Sequence, residues 1–369
     1  MKVLLVEPNY EHPFPHLFIL KAITFWRDQG AEVMWTKGYG IEASGYEPNM
    51  IQMTTPIFSW AVPNCIQLIK FYQEHYPRAK IEVGGVMATL HAKIFEAATG
   101  IKPFEGVHGG IINSRPAWEE FPKQKLCRVM ITAGCGVGCG FCLVTPMYKA
   151  KSYEIFEWQS HFAERDYYHV IDDNFSQSIA TIKGLGDRLL EFFSTWTKKK
   201  TFDLNSGVEP RSFNDSVAAT VCQLPIKPIR TALDETSEAD FTLKAIQILH
   251  QKGFDPRRIH VYLLYGWRDD IQDALYRLSI LMPEGKPPIA VPMAMRFVPL
   301  DWFGGRFDYQ PPQYHRLHYI DFARYVNQLK RHSLFSLTKR WTFKEFLERC
   351  ESHNHSNDPI LKGDISITR

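Results

Sequence analysis

The sequence lacks long apolar runs, an excess of one charge and enough cysteines for a disulfide scaffold. No stretch approaches the ~20 apolar residues that span a bilayer, and the apolar run before Glu7 is too short for a signal peptide. Lys and Arg number 43 against 40 Asp and Glu, a formal charge of +3, so no global field indicates a nucleic-acid or anionic-membrane partner. With 7 cysteines in 369 residues, metal or catalytic roles are favoured over disulfides. We therefore expect a cytoplasmic protein with no membrane attachment.

The composition is that of a globular protein. Hydrophobic residues make up 45% and charged residues 22% of the chain, which excludes disorder and fibrous structure. At 369 residues the chain is long enough for roughly two to three domains.

Short apolar strands alternate with helical patterns in the first third of the chain. The predicted strands are residues 2–6, 31–36, 50–54, 80–83 and 103–107, and the predicted helices are 17–29 and 63–75. This alternation predicts an α/β domain with a parallel, doubly wound sheet. Gly84 and Gly85 follow the fourth strand, at the carboxyl edge where such sheets bind ligands.

A second alternating series follows a connector that contains Pro116 and Pro122. Its predicted strands are 127–132, 167–171, 201–205, 227–233, 259–265 and 289–297. The predicted helices between them are 152–165, 176–197, 215–223, 238–251 and 269–281. Six strand–helix units indicate a parallel, barrel-like sheet whose function lies at the carboxyl ends of its strands. Helical patterns at 315–330 and 342–350 follow it.

Three closely spaced cysteines directly follow the first strand of this second series. Cys135, Cys139 and Cys142 have C-x3-C-x2-C spacing and are interleaved with glycines that allow the loop to curl tightly. Three thiolates can hold three irons of a four-iron cluster and leave the fourth iron open. The alternatives are a zinc site or buried thiols. Zinc would need a fourth ligand, for which Cys127 is the nearest spare thiol.

With the aromatic Phe141 before its third cysteine, the loop resembles the motif of the radical S-adenosylmethionine (SAM) superfamily. The amino-terminal region resembles the cobalamin-binding domain found ahead of the barrel in one subgroup, through residues 14–17, 30–33, 82–86 and 105–110. The resemblance implies a Rossmann-like, cobalamin-binding-like domain over residues 1–112. It also implies a partial six-stranded (β/α)6 radical SAM barrel over 113–300 and a mostly helical carboxyl-terminal extension over 301–369.

The resemblance further implies which residues bind the cofactors. Cys135, Cys139 and Cys142 would hold a 4Fe–4S cluster, and Gly84 and Gly85 would line the cobalamin-like domain. The implied SAM contacts are Phe141, Asp172, Asp173, Asn174, Ser206, Glu209, Arg211, Arg230, Glu235, Tyr265 and Arg296. Residues 172–175 resemble the "DDNF" end of the family's second strand, whereas 233–236 lack the glycine of its fourth-strand motif. As alternatives, Asp172 or Asp173 caps the next helix, and Arg230 forms a structural ion pair with Asp234 or Glu235.

The family's chemistry implies reductive cleavage of SAM and hydrogen abstraction from an unactivated carbon, with electrons from a flavodoxin or ferredoxin. The first loop lacks the D-x-H-x-x-G motif whose histidine ligates cobalt, and leaves His12, His16 and His91 as candidate ligands. The sequence therefore favours a non-methylating outcome (isomerase, epimerase or ring-forming, with a nucleoside or nucleic-acid substrate open) and a degenerate cobalamin-like domain. The alternative is a cobalamin-dependent radical C-methyltransferase. A non-catalytic iron–sulfur protein that binds nucleic acid is less favoured, because the net charge is nearly neutral.

Overall fold

The structure is a computed structural model of the chain. It describes residues 1–9, 16–40, 45–149, 151–196, 200–284, 286–305, 308–331 and 342–352. The chain divides into two compact units, the first Met1–Asn205 with Pro299–Asp308 and the second Ser206–Val298 with Tyr309–Arg369. No helix within the described ranges is long and apolar enough to cross a bilayer.

The first unit contains nine strands and eight helices among its described residues. The strands are β1 (Lys2–Glu7), β2 (Glu32–Lys37), β3 (Met50–Thr54), β4 (Lys80–Gly84), β5 (Leu126–Val129), β6 (Thr132–Ala133), β7 (Tyr153–Glu154), β8 (Tyr167–Val170) and β9 (Thr201–Leu204). The helices are α1 (Leu17–Asp28), α2 (Val62–His75), α3 (Val86–Leu90), α4 (Ala92–Thr99), α5 (Gly109–Asn113), α6 (Val144–Tyr148), α7 (Phe175–Thr181) and α8 (Leu185–Ser194).

The first sheet is parallel, with the order β2-β1-β3-β4. Successive side chains of a strand point to opposite faces, and β1 is apolar on both. Val3 and Leu5 pack with Ile19 of α1 in one core cluster, while Leu4 packs with Ile69 of α2 in another. Helices therefore cover both faces of this sheet, and the prediction of a doubly wound amino-terminal sheet is confirmed.

Three predicted elements of this unit are wrong. Residues 103–107 form no strand, because Pro103 has no N–H to donate and Gly106 turns the chain with a φ of +86°. Residues 152–165 form β7 and a single 3-10 turn, Trp158–His161, instead of an α-helix. Trp158 there packs on Phe192 and Phe193 of α8. Its apolar side chain serves this tertiary contact, although its position in the sequence fits a helical pattern. The long helix predicted over 176–197 is two helices, α7 and α8, separated at Gly184 with a φ of +69°.

A second sheet in this unit has the order β5-β8-β9 and is also parallel. Phe202 of β9 packs against Phe175 of α7 and Phe193 of α8, so these helices cover one of its faces. The predicted strand at 127–132 is divided into β5 and β6, and β6 turns away to pair with β7 in an antiparallel ribbon.

The second unit contains a three-stranded parallel sheet in the order β10-β11-β12. Its strands are β10 (Ile229–Ala232), β11 (Ile259–Tyr265) and β12 (Val291–Arg296). Its helices are α9 (Asp215–Val221), α10 (Ala239–Gln251), α11 (Ile271–Leu281), α12 (Arg316–Arg331) and α13 (Phe343–Ser352). All six predicted barrel strands thus have counterparts, but their assembly into one barrel and the domain boundaries stay predictions. Residues 353–369 of the predicted extension lie outside the described residues.

Candidate functional site

The three cysteines lie on a loop that is closed at its base. Strands β6 and β7 pair antiparallel on either side of residues 134–152, with Thr132 opposite Glu154 and Ala133 opposite Tyr153. The Ser152 hydroxyl donates a hydrogen bond of 3.1 Å to the carbonyl oxygen of Gly134. Gly134 has a φ of +86°, and a Cβ atom there would lie 1.9 Å from the Lys151 carbonyl oxygen. Only glycine fits at this point of the loop.

The thiols of this loop accept hydrogen bonds from nitrogen donors. The sulfur of Cys135 lies 3.5 Å from the Val137 amide and 3.1 Å from Nδ2 of Asn174. The sulfur of Cys142 lies 3.5 Å from the Val144 amide. Hydrogen bonds to cysteine sulfur stabilise the thiolate and tune the potential of iron–sulfur clusters. Burial first, and the neighbouring thiols second, raise the pKa of Cys142 to about 11, a penalty that metal binding reverses.

The donor set fits a four-iron cluster better than a single zinc ion. Among the residues that the structure describes, no three His, Cys, Asp or Glu side chains surround one point as a mononuclear site requires. A cluster has no such requirement, because each thiolate binds a different iron. Cys127, the candidate fourth zinc ligand, is fully buried, and burial raises its pKa to about 12. That Cys135, Cys139 and Cys142 hold a cluster rather than zinc stays a prediction.

The segment after β8 holds the cysteine loop through a succession of hydrogen bonds. Asp172 is fully buried and accepts three hydrogen bonds of 2.6 to 2.7 Å, from the Ile131 and Thr132 amides and the Thr132 hydroxyl. Asp173 accepts from the Gly134 amide at 2.8 Å. Asn174 donates to Cys135, and its Oδ1 accepts from the Gln177 amide as the N-cap of α7.

These contacts give three of the "DDNF" residues a role that the sequence did not indicate: Asp172 and Asp173 bind backbone amides at the start of the loop, and Asn174 binds the sulfur of Cys135. Burial raises the pKa of Asp172 to about 7 and that of Asp173 to about 6. That these residues contact SAM stays a prediction, and so does the same role for Phe141, which is half-buried. Gln177, which accepts from the Gly136 amide at 2.7 Å, was missed. No motif or spacing marks it in the sequence.

A cavity of about 220 Å³ lies at the carboxyl edge of the first sheet. Gly84 and Gly85 line it, and so do Met147 and Tyr148 of α6, which follows the cysteines; that the two glycines bind a cofactor stays a prediction. Gly85 has a φ of +102°, and a Cβ atom there would lie 3.0 Å from the Thr55 hydroxyl. Gly85 therefore allows the chain to pass close to the end of β3 at the wall of the cavity.

The histidines near this cavity are not oriented to ligate cobalt. His16 and His108 line the cavity, but Nδ1 of each accepts an amide hydrogen bond, from Phe18 and Ile111 respectively. A neutral imidazole that accepts at Nδ1 carries its proton on Nε2 and has no lone pair left for a metal. Nε2 of His91 lies 2.8 Å from the Leu300 carbonyl oxygen, and His91 does not line the cavity. His12 lies outside the described residues.

The predicted site residues of the second unit lie near its strand ends. Ser206 is exposed, whereas Glu209 caps a short turn and pairs with Arg211 at 2.6 Å. Arg211 also lies 3.3 Å from a carboxylate oxygen of Glu238. Burial, strengthened by the nearby Glu238, raises the pKa of Asp234 to about 7. This edge therefore carries a cluster of carboxylates, with the guanidinium of Arg211 between those of Glu209 and Glu238.

The remaining predicted residues divide between the core and the surface. Tyr265 is fully buried, and its hydroxyl donates to the Tyr319 carbonyl at 3.0 Å. The guanidinium of Arg296 lies 5.5 Å from the centre of the Tyr319 ring. Arg230 interacts with the Tyr262 hydroxyl, and Glu235 is exposed.

Arg277, which the sequence analysis missed, joins the ends of two strands in this unit. The side chain is 1% exposed and donates to the carbonyls of Leu233, Asp234 and Leu264 at 2.6 to 3.0 Å. It also pairs with Asp269, which accepts a hydrogen bond of 3.0 Å from the Tyr314 hydroxyl. The ends of β10 and β11 are thereby fixed to α11.

The fold of this chain resembles that of solved structures of a cobalamin-dependent radical SAM enzyme. The solved structures that it resembles include OxsB, a "cobalamin-dependent S-adenosylmethionine radical enzyme". With aqua-cobalamin bound, OxsB matches at a TM-score of 0.55 and 10% identity over 79% of this chain and 53% of OxsB. OxsB with aqua-cobalamin and SAM bound matches at a TM-score of 0.55 and 10% identity over 89% of this chain and 55% of OxsB. OxsB without ligands matches at a TM-score of 0.54 and 10% identity over 96% of this chain and 61% of OxsB.

This chain spans little more than half the length of OxsB. No protein-family model matches the sequence, and no curated protein is significantly similar to it. At 10% identity the likeness shows the fold, and the chemistry must be argued from the residues.

Proposed function

We propose that this protein is a radical SAM enzyme that cleaves SAM reductively and abstracts a hydrogen atom from an unactivated carbon of its substrate. The observation that carries the proposal is the cysteine loop. Three thiols stand on a closed loop at the strand ends of a parallel sheet, and the sulfurs of Cys135 and Cys142 accept hydrogen bonds from N–H donors. The fold shared with OxsB supports it independently.

The chain's own residues would hold the cluster and shield it. When bound, a four-iron cluster with one open iron supplies the electron that splits SAM into methionine and a hydrogen-abstracting deoxyadenosyl radical. Cys135, Cys139 and Cys142 would hold it, and Asn174 would donate a hydrogen bond to the sulfur of Cys135. Asp172 and Asp173 would fix the loop by their bonds to its backbone. Radical chemistry needs a rigid and dry site, and these buried carboxylates contribute rigidity.

Of the possible outcomes, the residues favour one without methyl transfer. A cobalt-dependent methyl transfer would use the amino-terminal cavity, and none of the histidines described there is oriented to ligate cobalt. Isomerisation, epimerisation or ring formation on an unidentified substrate, with electrons from a flavodoxin or ferredoxin, is therefore our first proposal. A cobalamin-dependent C-methyltransferase is the second, because the fold is shared with a cobalamin-dependent enzyme.

Product analysis after anaerobic reconstitution tests the proposal. The chain would be incubated with SAM and dithionite, with and without cobalamin, beside Cys139→Ala and a matched Cys222→Ala variant outside the loop. We expect deoxyadenosine from the native chain and from Cys222→Ala, and none from Cys139→Ala. S-adenosylhomocysteine that rises only with cobalamin would favour the methyltransferase. An intact cluster that forms no deoxyadenosine with any tested substrate would contradict the radical SAM proposal.

A further inference from the structure

Lys21 is a buried cation in the middle of the apolar helix α1. The residue is 3% exposed, and its chain neighbours Leu20 and Ala22 are fully buried. Lysine is almost never buried without a partner that compensates its charge. The surroundings of its ammonium group therefore indicate what this part of the molecule binds.

The ammonium group of Lys21 has neutral partners in contact with it. It donates to the carbonyl oxygen of Ile112 and lies 3.4 Å from Nδ1 of His161. Burial lowers the pKa of His161 to about 3, so this imidazole is neutral and can accept a hydrogen bond. Among the described residues this ammonium forms no ion pair with a carboxylate, and Asp172 acts on it only over a longer distance. Burial accordingly lowers the pKa of Lys21 to about 7.

Lys21 also lines the cavity at the carboxyl edge of the first sheet. The described walls of this cavity are mostly apolar, with side chains such as Leu17, Met53, Val83, Phe104, Ile111 and Met147. Lys21 is the one lysine or arginine among them. The carboxylate of Glu82, which also lines the cavity, already pairs with Lys80 at 2.7 Å.

An apolar cavity with a single uncompensated cation favours one class of ligand. Apolar walls bind an apolar body, and a few polar groups fix its orientation. A buried ammonium gains most from an anion, because charge-assisted hydrogen bonds are strong where water is excluded. One ammonium matches the single charge of a carboxylate better than the higher charge of a phosphate. The cavity is smaller than the ~300 Å³ at which ligand pockets usually begin, which favours a compact ligand.

We propose that this cavity binds a compact apolar carboxylic acid whose carboxylate pairs with the ammonium group of Lys21. The proposal is independent of the radical chemistry, since it requires neither the cluster nor SAM. Lys21 acts here as a binding residue that fixes the acid end of the ligand, while the apolar walls hold the rest.

Acid–amide pairs of equal shape test the proposal. Binding of 2-naphthoate, benzoate and octanoate, each beside its amide, would be measured by calorimetry on the full chain at neutral pH. We expect at least one acid to bind roughly tenfold or more tightly than its amide, as a hydrogen bond between charged groups implies. In Lys21→Met that preference disappears, while the amide binds as it does to the native chain. Lys93→Met, which removes an exposed lysine of the same unit, leaves both affinities unchanged.

A second variant separates charge from structure. Lys21→Gln keeps a donor for the Ile112 carbonyl but removes the charge, and we expect it to lose the preference for the acid without a fall in melting temperature. The proposal is overturned if no acid binds to the native chain, if acid and amide bind equally, or if the preference survives in Lys21→Gln. It is also overturned if both variants weaken acid and amide alike, because Lys21 would then only support the helix.

Discussion

Two glycines of the cysteine loop allow a matched test of its geometry. Gly134 and Gly138 stand directly before Cys135 and Cys139, and both have positive φ, +86° and +75°. An alanine at either position would cost about 1–2 kcal/mol in backbone strain. A Cβ atom at Gly138 would have no heavy atom within 4 Å, whereas one at Gly134 would lie 1.9 Å from the Lys151 carbonyl oxygen. The Gly134→Ala variant therefore has to open the base of the loop by about 1 Å or more.

The expected difference follows from these magnitudes. A strain of about 1–2 kcal/mol changes an equilibrium roughly 5–30-fold, which is small beside the ~10 kcal/mol or more that thiolate–metal sites can supply. Gly138→Ala should therefore take up iron and sulfide close to the native amount on anaerobic reconstitution. Gly134→Ala should lose most of both, together with its visible absorption band and its deoxyadenosine formation.

Iron, sulfide and thermal melting of the metal-free chains would be measured side by side. Similar melting temperatures would show that the loss of iron comes from the loop and not from global unfolding. Native iron content in Gly134→Ala, or equal losses in both variants, would refute the conclusion that the closed base shapes the cluster site.

Three further predictions concern single side chains. In Asn174→Asp the aspartate can still cap α7, but it offers Cys135 a negative charge instead of an N–H donor. A redox titration followed by electron paramagnetic resonance should therefore give a more negative cluster potential at unchanged iron content. An unchanged potential would contradict a role for this hydrogen bond. Burial lowers the pKa of Lys21 from 10.5 to about 7. Below pH 7 the buried charge therefore destabilises the folded native chain by its full amount, and this destabilisation disappears as the pH rises to 10.5. The melting temperature of the native chain should therefore rise relative to that of Lys21→Met as the pH rises above 7, where His161 is neutral and Asp172, with a pKa of about 7, becomes ionised. A constant difference would show that Lys21 stays charged or exposed. Burial raises the pKa values of Cys65 and Cys127 to about 12. In the metal-free chain, alkylation followed by mass spectrometry should therefore show that Cys135 and Cys139 are modified first. Faster labelling of Cys65 and Cys127 would contradict their buried positions.

The sequence is a good guide to the fold where local pattern and tertiary role agree. Strands β1, β3 and β11 are apolar in keeping with their burial, and their predicted positions differ from the structure by a residue at most. The pattern misleads where apolar residues serve a distant partner. Trp158 and Phe162 pack on the aromatic side chains of α8, and their spacing imitates a helix that does not form.

Only part of the candidate site can be predicted from the sequence. The cysteine spacing indicates the cluster directly, because the ligands are local to one loop. The holding roles of Asp172 and Asp173 depend on which backbone amides lie opposite them, and this is decided by the pairing of β5 with β8. Lys21 carried a signal that was overlooked, since it is the one charged residue within the apolar stretch from Leu17 to Phe25.

The ribbon of β6 and β7 bears on how the cysteine loop would gain and lose the proposed cluster. Because these strands and the Ser152 hydroxyl join the two ends of the loop, the chain's own hydrogen bonds offset part of the entropy lost in closing it. Small zinc domains, by contrast, fold only when the metal binds. If this loop holds a cluster as proposed, we expect the chain to keep the closed base of the loop when the iron is lost. Fresh iron and sulfide would then restore the cluster without refolding of the chain.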